Sequence, residues 1–198
     1  KHGLPAGTVC AVNTTDRAAV DFLLKREGDI HLVIPRGGKS LIQKVARTSR
    51  IPVIKHYEGV CHVFVDESAD LKKAEAIILN AKLQRPGVCN AMETLLVHQK
   101  IASKFLPGIG RKLQEGGCEL RAESSALRWL PRAKAAKSSD FGREYLDKIL
   151  AVKVVPSLDK AMEHIQQYGS GHTDAIVTGD AKAAEIFASQ VDSASVMV

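Results

Sequence analysis

The chain has 198 residues, 45% of them apolar and 25% charged, enough for one large domain or two small ones with real cores. No apolar run reaches the length of a membrane span, and the opening Lys1-His2-Gly3-Leu4-Pro5 lacks the apolar stretch of a signal peptide, so no membrane partner is expected. A formal net charge of +6 fits a nucleic-acid partner, a solvated basic surface or a pocket for small anions. Aromatics are only 5%, Lys and Arg are scattered and no RNA- or DNA-binding signature is present. No nucleic-acid partner is therefore expected, and a phosphate-bearing ligand accounts for the charge at least as well.

In chain order, apolar positions Ala18, Ala19, Phe22 and Leu23 predict a helix over 15–26, ended by Gly28. His31-Leu32-Val33-Ile34-Pro35 reads as a short buried strand, 40–48 as a helix, and Pro52-Val53-Ile54 and Cys61-His62-Val63-Phe64-Val65 as strands. A long helix is predicted over 70–83, with Leu71, Ala74, Ile77, Ile78 and Ala81 toward a core. After the loop Gln84-Arg85-Pro86-Gly87-Val88-Cys89-Asn90 come a strand over 93–98 and a helix over 99–114, with Pro107-Gly108 as a break. Strands are predicted over 118–121, 150–155, 175–178 and 194–198, and helices over 124–130, 158–167 and 180–191. The stretch 131–142 reads as irregular. This alternation predicts an α/β layered fold with parallel strands.

Four cysteines (Cys10, Cys61, Cys89, Cys118) are widely spread with no Cys-x-x-Cys, which reads as reduced thiols. Cys89 alone sits in a Pro/Gly-rich loop at a helix–strand junction, where a sulfur can be presented to a cleft. Arg85 and a nearby helix terminus would favour its thiolate. The bland alternative, a small buried hydrophobe, suits Cys10, Cys61 and Cys118 better. Ile34-Pro35-Arg36-Gly37-Gly38-Lys39-Ser40 joins a strand to a helix, with two glycines and two cations at a helix N-terminus. It reads as a phosphate site or as a plain strand–turn–helix corner with a basic rim. It is not a Walker A loop, because the required first glycine falls on Val33. Gly108-Ile109-Gly110 is no dinucleotide fingerprint. Cys61 and His62 alternate across a strand and would not share a metal easily, so no metal is expected. Glu58, beside Gly59, reads as an acid or base or, more often for a lone glutamate in a turn, as a solvated surface group, and His172, in a turn, reads equally as a substrate contact or a surface group.

These segments are recognisable together. Gly3-Leu4-Pro5-Ala6-Gly7, Ile34-Pro35-Arg36-Gly37-Gly38, Gly59-Val60-Cys61-His62-Val63-Phe64-Val65-Asp66, Gln84 to Asn90, Glu93-Thr94-Leu95-Leu96-Val97-His98 and Tyr168 to Thr178 resemble gamma-glutamyl phosphate reductases, in that family's order and over nearly the whole chain. That family belongs to the aldehyde dehydrogenase superfamily. The resemblance implies an aldehyde-dehydrogenase-like fold, with the C-terminal part of a parallel-sheet NADP-binding domain over 1–82 and an α/β catalytic domain over 83–198. It implies NADPH-dependent reduction of gamma-glutamyl phosphate to glutamate 5-semialdehyde, through a thioester on Cys89, in proline biosynthesis. Arg36, Gly37 and Gly38 match the loop expected near the cofactor. Arg85, Asn90 and His172 fall in motifs expected to border the substrate.

Oxidising members of the superfamily place a glutamate base before the strand that begins here near Cys61. Lys55 stands near that position with Glu58 close by, which suits a reductase. A complete family member also carries further segments on both sides, including an asparagine of the oxyanion hole, so the chain is expected to be an internal segment of a longer protein. The resemblance further implies a cytoplasmic enzyme, a homo-oligomer when full length and functional association with glutamate 5-kinase. Alternatives are a noncatalytic structural or interaction module of the same fold, the reductase half of a fused kinase–reductase, or a reductase of another acyl phosphate such as beta-aspartyl phosphate.

Overall fold

The computed structural model describes residues 3–55 and 58–198, with the side chain of Lys39 also outside the description. The chain divides into two compact units, Lys1–Tyr57 and Glu58–Val198. The boundary expected at 82 does not coincide with this division. Residues 58–82 belong to the second unit because they contain the strand that joins two others in its sheet.

The first unit holds α1 (Ala18–Leu23) and α2 (Lys39–Thr48) around a small core of Leu24, Ile42, Val45 and Ile51. The two strands expected at 31–35 and 52–54 reduce to one parallel bridge, Val33 to Val53, held by Val33 N–H to the Pro52 carbonyl at 2.9 Å and Ile54 N–H to the Val33 carbonyl at 2.9 Å. A parallel pair gains little from so few ladder bonds without further strands beside it. Among the described residues of this unit none lies beside the pair, and Ile34 and Ile54 stay exposed. Helix α2 starts at Gly38, which has extended backbone angles and offers no side chain to the first-turn amides.

The second unit is a three-layer α/β/α sandwich. Its strands are β1 (Cys61–Val65), β2 (Met92–His98), β3 (Glu119–Ala122), β4 (Lys134–Ala135), β5 (Ile149–Val155), β6 (Thr173–Val177) and β7 (Ser195–Met197). They form one sheet in the order β4-β3-β5-β2-β1-β6-β7, every pair parallel. Parallel strands need crossovers, and α3 (Leu71–Leu79), α4 (Gln99–Glu115), α7 (Leu158–Tyr168) and α8 (Ala181–Gln190) supply them. Between them lie the short helices α5 (Ser124–Leu127) and α6 (Ser138–Phe141). One face packs α3 and α4 through Ala74, Ile78, Leu106 and Ile109 onto Val63, Leu95 and Leu120. The other packs α7 and α8 through Ile165 and Phe187 onto Phe64, Leu96 and Ile176. β2 is buried along its whole length, so its apolar centre Leu95-Leu96-Val97 shows no alternation and its polar Glu93, Thr94 and His98 are buried as well.

Three expectations are corrected. Helix α4 runs unbroken through Pro107, whose ring points to solvent on the exposed side of the helix, where water can satisfy the freed carbonyl. The predicted 70–83 helix changes type: α3 gives way to a π-helical turn, Asn80–Gln84. The irregular stretch 131–142 contains the exposed edge strand β4 and the four-residue turn α6, both too short to leave a periodic signal.

Leu146 is the one described non-glycine residue with positive φ, at 54°. A left-handed backbone costs an L-residue roughly 1–2 kcal/mol. The side chain is 49% exposed, so little burial offsets that cost. Leu146→Gly is therefore expected to raise stability by about 1 kcal/mol in denaturant unfolding. A loss of similar size would show that the side chain's packing outweighs the strain.

Candidate active site

Parallel pairing places the segments that precede adjacent strands side by side. Cys61 pairs with Met92 and His62 with Asp174. The loops before β1, β2 and β6 therefore meet at the amino edge of the sheet. Cys89 sits there, exposed, between two tight turns: Val88 N–H donates to the Arg85 carbonyl at 3.3 Å and Ala91 N–H to the Val88 carbonyl at 3.0 Å. Those turns leave the amides of Cys89 and Asn90 with no acceptor among the described residues. Two successive free amides beside a thiol can hold a developing oxyanion.

The sulfur's carrier is braced from behind. Gly59 lies against the carbonyl of Cys89, and a Cβ on Gly59 would overlap that carbonyl. Gly59 N–H donates to Glu144 Oε1 at 2.8 Å, and Val60 N–H to Ser170 Oγ at 2.9 Å. Cys61 Sγ–H donates to the Cys89 carbonyl at 3.3 Å. Burial, helped by the charge of Asp174, pushes the Cys61 thiol up to about 12, and burial pushes Cys118 up to about 11. Neither forms a thiolate near neutral pH, whereas Cys89 is open to solvent. Of the three described cysteines in this unit, Cys89 is the one exposed to solvent.

A cleft of about 650 Å³ opens beside the loop. Arg85, Asn90, Asn80, Gln84, His62 and Thr173 supply its polar lining, and none of its described lining residues is a carboxylate. Two expected site residues, Arg85 and Asn90, thus meet on one cleft, with Cys89 between lining residues Val88 and Asn90. His172 stands one layer back. Its Nδ1 lies 2.7 Å from Thr173 Oγ1 and 3.9 Å from Cys61 Sγ, and both of those residues line the cleft. Arg36, Gly37 and Gly38 lie in the first unit as an exposed turn leading into α2. A Cβ on Gly38 would meet open space, and no side chain caps the helix, so a phosphate group fits there.

Sequence reasoning gave no site role to Asn80, within the predicted 70–83 helix, or to Gln84, at the start of the loop. It also missed the fully buried pair Lys82 Nζ to Glu93 Oε2 at 2.6 Å. The available signal was spacing: Lys82 continues the inward row Ala74, Ile78 at four-residue steps. A second buried network joins β1, β6 and the β7 approach. His62 Nδ1 and backbone N–H both donate to Asp174 Oδ1 at 2.9 Å, and Ser193 Oγ donates to Oδ2 at 2.5 Å.

Behind it, His164 is 4% exposed and packs among Phe141, Tyr168 and His62, with Nε2 unpartnered. Burial, then the charges of His62 and Lys153, pull its imidazole down to about 3. The unfolded chain binds this proton near pH ~6.5 and the folded chain does not until far lower. Its contribution is therefore full above that pH and is lost as pH falls toward 3, with a slope of up to ~1.4 kcal/mol per pH unit. His164→Phe should remove that loss. Unfolding curves from about pH 7 to about pH 4 should show wild type weakening relative to the variant. Parallel curves would contradict the assignment.

Among the described residues, no helix is long and apolar enough to cross a membrane. Residues 1–121 match the aldehyde dehydrogenase family. The chain is 51% identical over 197 residues to a gamma-glutamyl phosphate reductase of Thermodesulfovibrio yellowstonii and 53% identical over 202 residues to one of Anaeromyxobacter dehalogenans. Each alignment covers 100% of this chain and 47% of the relative, so the chain spans about half the length of the curated relatives it matches. The crystal structure of gamma-glutamyl phosphate reductase from Thermotoga maritima superposes with a TM-score of 0.90 at 46% identity, covering 94% of this chain and 45% of that one. Sequence and fold agree: the chain belongs to the aldehyde dehydrogenase family.

Proposed function

We propose that the protein reduces gamma-glutamyl phosphate to glutamate 5-semialdehyde with release of phosphate. The observation that carries this reading is the exposed Cys89, with free amides at its own and the next residue, in the loop whose Arg85, Val88 and Asn90 line a cleft with no carboxylate among its described lining residues. Such a cleft suits an anionic acyl donor, and such a sulfur suits acyl transfer. The named relatives supply the substrate class.

In this mechanism the Cys89 thiolate attacks the acyl carbon. The Cys89 and Asn90 amides hold the oxyanion as the bond to phosphate breaks, leaving a thioester and free phosphate. Arg85 neutralises the departing phosphate or a substrate carboxylate. NADPH, when bound, supplies the hydride that converts the thioester to a thiohemiacetal. Breaking the carbon–sulfur bond releases the aldehyde and returns the thiolate to Cys89. Arg36, Gly37, Gly38 and the first amides of α2 would hold a cofactor phosphate. His172 orients Thr173 at the cleft wall. Water has no activating base in this scheme, which protects the thioester.

The first unit then belongs to an NADP-binding domain and the second to the catalytic domain. The same reading carries a cytoplasmic, homo-oligomeric enzyme supplied with acyl phosphate by glutamate 5-kinase. The test is phosphate-dependent reduction of NADP by glutamate 5-semialdehyde, run beside aspartate 4-semialdehyde. Preference for the glutamyl substrate supports the reading, preference for the aspartyl one reassigns the substrate, and no turnover with either removes it. Arg85→Ala is expected to raise KM about tenfold with a smaller change in kcat.

A further inference from the structure

Lys82 and Glu93 have no part in that chemistry, yet they bracket its loop. Their side chains are 0% and 1% exposed, and they stand eleven residues apart on the two stems that flank Cys89. We propose that this buried pair is a positioning device: it fixes both stems of the Cys89 loop, and so sets where the sulfur and the adjacent amides point. The proposal rests on Cys89 being the reacting group.

A buried ion pair is a poor way to stabilise a core, since desolvation of the charges offsets most of their attraction. Burial in fact pushes the Glu93 carboxyl above its ordinary range, with Lys82 opposing the shift. What the pair supplies instead is geometry. Lys82 is the middle residue of the π-helical turn Asn80–Gln84, and such turns recur at functional sites. The same turn gives Asn80 and Gln84 to the cleft and ends at Arg85. Glu93 lies four residues after Cys89, near the start of β2.

Glu93 also reaches sideways. Its Oε1 accepts Leu146 N–H at 3.2 Å, and Lys82 Nζ lies 6.0 Å from the centre of the Tyr145 ring. The left-handed Leu146 turns its carbonyl toward Gly87, inside the loop. The neighbouring Glu144 holds Gly59, and Gly59 backs the Cys89 carbonyl. One carboxylate therefore ties the turn before the loop, the strand after it and the segment on its flank.

The test compares Lys82→Met, Glu93→Met, the double variant and the core control Ile78→Ala. Two quantities are read: thermal melting, and the ratio of Cys89 alkylation rates with iodoacetate and iodoacetamide, followed by peptide mass spectrometry. The single variants should melt lower, because each leaves one buried charge unpaired. The double variant should recover most of the melting temperature while its rate ratio stays at least ~5-fold from wild type, because loop geometry rather than stability is lost. Ile78→Ala should melt lower with the ratio unchanged. A double variant that regains both properties, or that does not fold, would overturn the proposal, as would a ratio that follows melting temperature in the control. The alkylation ratio needs no turnover, so the effect of the pair on Cys89 is read separately from the reductase activity.

Discussion

Cys89→Ala is expected to lower turnover by at least ~10⁴-fold while leaving melting temperature within a few degrees of wild type. The stability side follows from exposure: Cys89 is solvent-open, its side chain makes no hydrogen bond among the described residues, and the turns around it are closed by backbone groups. The activity side follows from substitution at a single atom. With the sulfur gone, the free amides and Arg85 can still bind an anion, but no covalent acyl intermediate forms. Neither remaining thiol of the unit can substitute, since burial keeps Cys61 and Cys118 protonated. Substrate binding should therefore survive in the variant, measurable by calorimetry with a nonreactive analogue. Near-normal turnover would remove Cys89 from the mechanism.

Gly59→Ala is the second large effect. The added methyl would be driven into the Cys89 carbonyl and close to its Cα, both backbone atoms that no rotamer change can move aside. Relief requires the strand approach or the loop to shift, which also lengthens the Gly59 bond to Glu144 and the Cys61 bond to the Cys89 carbonyl. Overpacking of this kind costs ~1–3 kcal/mol. Displacement of a nucleophile by about 1 Å can lower activity ~10²-fold. Both losses are expected together, in denaturant unfolding and in initial rates. Gly38→Ala is the contrasting case, because a Cβ there meets nothing. It should leave stability nearly unchanged.

The parts of this molecule that could be read from sequence are those whose signal is local. Burial on both faces gives β2 the short apolar run Leu95-Leu96-Val97, and the Pro/Gly loop before it marks Cys89 as presented rather than buried. The amphipathic rows of α3 and α7 are local as well. Misreadings arose where tertiary context decides. Val33 and Val53 have strand-like neighbours, but a ladder needs partners and theirs is one bridge long. Pro107 is tolerated because of which side of α4 it occupies. The π-helical turn leaves no periodic trace in five residues, yet it converts Asn80 and Gln84 into cleft wall. Glu144 is invisible for a different reason: it is 85 residues from Gly59 in sequence and meets it only because the loops before β1 and β5, which flank β2, share one edge of the sheet.

The central claim concerns one covalent bond, and it can be seen directly. Incubating the protein with glutamate 5-semialdehyde and NADP in the absence of phosphate leaves the thioester without its natural acceptor. Peptide mass spectrometry after acid quench should then find a glutamyl group on the peptide that carries Cys89, discharged when phosphate is added. A modified peptide that lacks Cys89, or NADP reduction with no acylated peptide at any time, would contradict the account.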